Sequence, residues 1–174
     1  MNAPSPLSIE ESRRYRTRVV LLGTSGGPPW WDNATRTGIS TAICVGDAVY
    51  LIDCGEGWGP QFRRSGIGPS GFQRGLDNMR AVFLTHHHSD HTVDYPNLLL
   101  LAWHNGSDGL QRPIKILGPG DRGALPPIFD PESRERLPEV WNPESPTPGM
   151  EEFTDKLLRA YATDINDRMR DNAK

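Results

Sequence analysis

Short apolar stretches follow one another along the first two thirds of the chain, separated by residues typical of turns. Apolar stretches of four to eight residues, bounded by glycine, proline or aspartate, predict β-strands. Five such strands are predicted, at residues 18–22, 39–45, 48–53, 80–85 and 113–117. Gly46 and Asp47 separate the second from the third, which favours a two-residue hairpin turn.

Apolar residues spaced by three and four predict helices at residues 58–65 and 93–104. The clearest helical pattern is the last one, at residues 149–172. Its apolar positions are Met150, Phe153, Leu157, Tyr161, Ile165 and Met169. Thr147 before Pro148 is a candidate start signal for this helix.

The predicted domain organisation is a flexible polar leader at residues 1–16 followed by a single α/β domain at residues 17–174. Nine prolines lie between Pro113 and Pro148, so the segment 119–148 is predicted to be an irregular insertion. A chain of 174 residues is long enough to bury a core of its own.

Composition excludes several classes of protein. The net charge of −3 gives no general attraction to nucleic-acid phosphates. The first residues do not form a signal peptide, and no apolar stretch is long enough to span a membrane, so we expect a cytoplasmic protein. Cys44 and Cys54 are expected to be small buried apolar residues.

Residues 86–91 read His-His-His-Ser-Asp-His and contain four of the five histidines of the chain. In an extended segment, side chains two residues apart point to the same side, so His86 and His88 are predicted to face one ion. Asp90 and His91 follow where the chain turns into the next helix, and are predicted to face a second ion nearby. Imidazole and carboxylate ligands suit zinc and also accept iron or manganese.

Three motifs resemble those of a known family. The segment 85–92 resembles the His-x-His-x-Asp-His signature of the metallo-β-lactamase superfamily. The segments 21–27 and 51–57 resemble the Gly-rich first turn and the second-hairpin motif of the branch that contains RNase Z and the arylsulfatase-like hydrolases. The resemblance covers about residues 18–120.

The resemblance implies an αββα sandwich with a dinuclear, usually zinc, centre. By this resemblance His86 and His88 match ligands of the first metal, and Asp90 and His91 match ligands of the second. Asp53 matches a buried acidic residue that supports the ligand loop through hydrogen bonds.

The family's centre also needs two further histidines and a bridging aspartate, and this sequence does not assign them. His104, the remaining histidine, is expected to be a helix-end residue and not a ligand. We therefore expect an incomplete sandwich, made of the N-terminal ββα half and part of an insertion, with an exposed apolar sheet face. A homo-oligomer is one way to cover such a face, and the sequence leaves the oligomeric state open.

The predicted function is metal-dependent hydrolysis of a phosphodiester or sulfate ester, in a small molecule or a nucleic acid. The expected mechanism is attack by a metal-bridged hydroxide, with Asp90 as ligand and proton acceptor. Ser89 and Trp103 favour the arylsulfatase-like side of the branch. The alternative hypothesis is a catalytically incomplete chain that binds metal weakly or acts only as a partner.

Overall fold

The computed structural model describes residues 7–27, 30, 32, 35–70, 75–106, 113–128 and 139–171, without the side chains of residues 9 and 102–106. The chain divides into two compact units, residues 1–117 and residues 118–174. The boundary lies next to the proline-rich segment that the sequence predicts to be an insertion. The first unit contains the His-rich motif.

The first unit is built on one five-stranded sheet whose strands lie side by side in chain order. The strands are β1 (Thr17–Gly23), β2 (Ser40–Val45), β3 (Ala48–Ile52), β4 (Met79–Phe83) and β5 (Lys115–Leu117). The first three are antiparallel neighbours, whereas β3, β4 and β5 are parallel. All five predicted strands are confirmed, with shifts of one or two residues at most of their ends.

The predicted hairpin between β2 and β3 is also confirmed. Val45 pairs with Ala48, which leaves Gly46 and Asp47 as a two-residue turn. Gly46 has a φ of 59°, a left-handed conformation that glycine adopts without steric cost. The mixed α/β class predicted from the sequence is therefore the class observed.

One face of the sheet forms the core of this unit. Side chains alternate between buried and half-buried along β2 and β3, as expected for strands with one packed face. The buried sheet residues include Ala42, Cys44, Val49, Leu51 and Val82, and buried helix side chains at Trp58, Phe62, Tyr95 and Leu98 complete the core.

The two cysteines lie in this core. Cys44 and Cys54 are fully buried and not joined in a disulfide, which confirms their expected role as small apolar residues. Burial raises the pKa of the Cys54 thiol far above its usual range, with smaller contributions from the neighbouring carboxylates of Asp53 and Asp94. The thiol of Cys54 is therefore protonated and unreactive at neutral pH.

The opposite face of the sheet leaves apolar side chains exposed. Leu21, Ile52, Phe83 and Leu117 lie in one cross-strand row, and Leu21 is 67% exposed. Val19, two residues before Leu21 on the edge strand, is 66% exposed. An exposed apolar sheet face was expected from the sequence, and the exposure of these side chains confirms it.

Four helices belong to the first unit: α1 (Ile9–Ser12), α2 (Trp58–Ser65), α3 (Ser89–Thr92) and α4 (Tyr95–Gly106). α2 begins and ends at the predicted residues. α1 lies in the segment predicted to be a flexible leader, and a capping box explains it. The Ser8 hydroxyl accepts from the Glu11 amide at 3.2 Å, and the Glu11 carboxylate accepts from the Ser8 amide at 3.0 Å.

The predicted helix at 93–104 is confirmed as α4, with both ends shifted by two residues, and α3 is a separate short helix before it that the sequence reasoning did not predict. His88 has an extended backbone and precedes the first turn, in which the Val93 amide donates to the Ser89 carbonyl at 2.8 Å. Pro96 lies in the first turn of α4, where it needs no amide hydrogen and disfavours continuation of the preceding helix. Asp90 and His91 thus lie on a helical turn. His104 lies within α4, as predicted.

The second unit contains α5 (Met150–Ala160) and α6 (Ala162–Asp171). The prediction of a single helix at 149–172 is wrong, because two helices cover this range. Tyr161 leaves helical geometry, with φ −100° and ψ 18°, although the spacing of the apolar residues continues across the break. The predicted start signal is also wrong: Gly149 precedes α5, and the Thr147 hydroxyl donates to the Asp121 carboxylate at 2.9 Å.

The described parts of the predicted insertion, residues 119–128 and 139–148, contain no helix or strand. Among the helices that the structure describes, none has the length and apolar character needed to cross a membrane.

Candidate metal centre

The His-rich motif lies at the carboxyl end of β4, beside the carboxyl end of β3. These two strands are parallel neighbours, so the residues that follow them come together at one edge of the sheet. The Asp53 amide donates to the Phe83 carbonyl at 2.8 Å, which extends the pairing by one residue beyond β3. Asp53 and the segment after β4 are therefore held side by side by the sheet itself.

Asp53 is the buried acidic residue of this edge, with 3% of its surface exposed. Its carboxylate accepts hydrogen bonds from the Thr85 amide at 2.8 Å and from the Thr85 hydroxyl at 2.9 Å. The Ser40 hydroxyl donates to the Asp53 carbonyl at 2.9 Å. Asp53 has a φ of 61°, a left-handed conformation that is uncommon for residues other than glycine. The surrounding hydrogen bonds hold the residue in this conformation.

His91 is oriented by the same carboxylate. Its Nδ1 lies 2.8 Å from Oδ2 of Asp53, and because a carboxylate only accepts, Nδ1 carries the hydrogen. Nε2 of His91 lies 3.4 Å from Oδ2 of Asp90. A carboxylate on one ring nitrogen is the arrangement that commonly orients a metal-binding histidine.

His86 lies between the other two imidazoles. Its ring centre is 4.1 Å from that of His91 and 4.6 Å from that of His88. The Thr85 hydroxyl lies 3.0 Å from Nδ1 of His86. Desolvation, followed by the neighbouring imidazoles, lowers the pKa of His86, so this ring is neutral at neutral pH. A neutral imidazole is the form that binds a metal ion.

Asp90 faces the Gly-rich turn after β1. Its Oδ2 accepts a hydrogen bond from the Gly27 amide at 2.9 Å. The sequence indicates that this turn lies near the site, but a backbone amide leaves no signal in the residue pattern. The structure therefore adds Gly27 to the residues around the motif. Trp30, three residues later, is 89% exposed.

The four predicted ligands thus lie together, and their chemistry fits a zinc ion. Three imidazoles and a carboxylate, one imidazole oriented by a second carboxylate, are the donor types of zinc centres. The distances between these side chains are not those of a formed site: among the described residues, no three His, Cys, Asp or Glu side chains are arranged to hold one ion.

Asp94 is a residue that the sequence reasoning missed. It lies three residues after His91, and its carboxylate accepts from the Gly57 amide at 2.6 Å. Its amide donates to the Cys54 carbonyl at 3.0 Å. The available signal was an acidic side chain one helical turn beyond the last histidine of the motif.

A mixed sheet with a His-rich loop at the carboxyl ends of its parallel strands defines an α/β protein. Residues 36–106 match the sequence model of the Metallo-beta-lactamase superfamily. This segment of the chain is therefore similar to the metallo-β-lactamase superfamily.

The curated relatives of this chain include ribonucleases Z. The Ribonuclease Z of Mycobacterium marinum is 28% identical over 155 residues, which are 89% of this chain and 42% of the relative. The Ribonuclease Z of Mycobacterium sp. strain KMS is 37% identical over 101 residues, which are 58% of this chain and 32% of the relative. The chain thus spans less than half the length of these relatives.

Two solved structures are similar to parts of this chain. The short form of human tRNase Z is 30% identical, with a TM-score of 0.42 over 58% of this chain and 33% of that one. The metallo-beta-lactamase fold protein YhfI from Bacillus subtilis is 24% identical, with a TM-score of 0.45 over 70% of this chain and 41% of that one.

Proposed function

We propose that this chain provides the His-x-His-x-Asp-His part of the metal centre of a phosphodiester hydrolase. The observation that supports the proposal best is the hydrogen bond between Asp53 and Nδ1 of His91, with the rings of His86 and His88 beside it. The similarity to curated ribonucleases Z favours a phosphodiester over a sulfate ester.

In this proposal His86 and His88 hold one metal ion, and Asp90 and His91 hold a second. Zinc suits this donor set best, while iron and manganese are alternatives. When bound, the metal supplies a water of lowered pKa and neutralises charge on the phosphoryl oxygens. A complete centre needs further ligands that this sequence does not assign.

The residues of the chain have separate tasks. Asp53 holds the proton on Nδ1 of His91, so the lone pair of Nε2 faces the centre. Thr85 donates to Asp53 through both its amide and its hydroxyl, which fixes the carboxylate. Asp90 is the proton acceptor of the proposed reaction, and the Gly27 amide holds its side chain in place.

The test is turnover of two chromogenic esters by the purified 174-residue chain with added zinc or manganese. We expect hydrolysis of bis(4-nitrophenyl) phosphate, reduced about 100-fold or more in His88→Ala, because even residues that only orient metal ligands contribute about 10–100-fold. His87→Gln is the matched control, since the alternation of an extended segment places it on the other side.

Three outcomes would contradict the proposal in different ways. Turnover of 4-nitrophenyl sulfate without turnover of the phosphodiester would replace the substrate class. Metal binding without turnover of either ester would favour the catalytically incomplete chain. Equal activity in His88→Ala and the native chain would exclude the metal mechanism.

A further inference from the structure

Two segments of the first unit are joined by a compact set of hydrogen bonds that the proposed reaction does not use. The loop after β3 contributes Cys54 and Gly57, and the end of α3 contributes His91 and Asp94. The Cys54 amide donates to the His91 carbonyl at 2.8 Å, and the Asp94 amide donates to the Cys54 carbonyl at 3.0 Å. The two main chains therefore exchange hydrogen bonds on either side of Cys54.

The side chain of Asp94 adds a third connection. Its Oδ2 accepts from the Gly57 amide at 2.6 Å, and its carbonyl accepts from Nε1 of the buried Trp58 at 3.1 Å. Gly57 immediately precedes α2 and has a φ of 79°. A carboxylate at this N-terminal end of α2 accepts from an amide that has no partner within the helix. It also interacts favourably with the positive end of the helix dipole.

These contacts hold His91 from two directions. Asp53, at the start of the loop, binds Nδ1 of the imidazole. Asp94, one helical turn after His91, binds Gly57 at the other end of the same loop. The contact between Asp94 and Gly57 thus adds a side-chain restraint to the main-chain hydrogen bonds that hold the His91 backbone beside Asp53.

We propose that Asp94 is a positioning residue for the metal ligand His91, acting through the loop 53–57 and not by contact with the metal. The inference rests on the proposed function, since it assumes that His91 binds metal. Loss of the Asp94 carboxylate removes this restraint while the main-chain hydrogen bonds at Cys54 remain, and the imidazole of His91 is then held less rigidly.

The experiment measures zinc affinity by competition with a chromogenic chelator, at a temperature where every variant is folded. Asp94→Ala removes the acceptor and is expected to weaken zinc binding about 10–100-fold, the usual effect of losing a residue that orients a ligand. Asp94→Asn keeps an amide oxygen as a weaker acceptor, and we expect about 3-fold weaker binding, intermediate between the native chain and Asp94→Ala.

Leu98→Ala is the control for a purely structural effect. Leu98 is buried in α4, and its loss is expected to lower the midpoint of thermal unfolding without changing zinc affinity. If Asp94→Ala does not fold, the zinc affinities of Asp94→Asn and Leu98→Ala are compared, and the affinity is expected to fall only in Asp94→Asn.

The possible outcomes distinguish the positioning role of Asp94 from the existence of the metal centre. Native zinc binding in both Asp94 variants would overturn the role of Asp94 and leave the metal centre intact. Equal weakening in Leu98→Ala and the Asp94 variants would show a general loss of stability and would also overturn it. A native chain that binds no zinc would overturn the proposed function, and the positioning role with it.

Discussion

The alanine variant of Asp53 is expected to be the most damaging single change at the site, with a loss of about 3–5 kcal/mol in the free energy of unfolding. Thr85 and His91 would lose the acceptor of their N–H and O–H groups in a partly buried setting, where each unsatisfied group costs at most about 1–3 kcal/mol. Alanine would also occupy a left-handed backbone position, which costs about 1–2 kcal/mol. Urea unfolding measures the sum of these effects.

The asparagine variant separates the effects on stability from those on the metal. Asparagine adopts the left-handed conformation more readily and keeps one acceptor oxygen, so we expect about half the stability loss of Asp53→Ala. The amide nitrogen of asparagine only donates, so it cannot replace the carboxylate oxygen that accepts from the Thr85 hydroxyl and from Nδ1 of His91. Zinc binding is therefore expected to fall about 10–100-fold in both variants. An alanine variant as stable as the native chain would contradict the account of this carboxylate.

The second large effect is expected at Gly55, where a methyl group has no space. A Cβ at this position would lie 2.6 Å from the amide nitrogen and the carbonyl oxygen of Ile39, and 2.7 Å from the carbonyl oxygen of Asp90. All three atoms belong to main chain, which cannot move as a flexible side chain does. We expect Gly55→Ala to cost about 3 kcal/mol, the upper range for overpacking, and to displace the segment that contains Asp90.

Gly59→Ala is the matched control for that substitution. Gly59 lies in α2, and a Cβ there would meet no atom within 4 Å. Because alanine favours a helix over glycine, we expect a gain of about 0.5–1 kcal/mol. Thermal unfolding of the two variants measures the contrast, and the same change in both would contradict the close packing of the loop against Ile39 and Asp90.

The strands of the sheet could be predicted from the sequence because each strand signal lies in a few consecutive residues. Short apolar stretches predict the strands, and the pair Gly46-Asp47 predicts the hairpin turn. The motif with four histidines follows a predicted strand, so its place at a strand end was also accessible. That His86, His88, Asp90 and His91 match ligands was implied by resemblance, and the structure places their side chains close together.

The contacts that organise the site were not predictable in the same way. The amide of Gly27 and the loop after β3 approach the motif only because the folded sheet places the segments after β1, β3 and β4 at one edge. The short helix α3 and the break at Tyr161 also escaped the sequence reasoning, since apolar spacing continues across Tyr161. A capping box at Ser8 was visible in the sequence as serine followed three residues later by glutamate, and it predicts the short helix that the leader contains.

Zinc titration of the purified chain tests the central claim that the motif at the end of β4 is a metal centre. Equilibrium dialysis followed by elemental analysis gives the bound zinc per chain and the affinity. We predict at least one bound zinc, with the affinity reduced about 100-fold or more in His88→Ala and His91→Ala and unchanged in His87→Gln. A native chain without bound zinc, or histidine variants that bind as the native chain does, would contradict the claim.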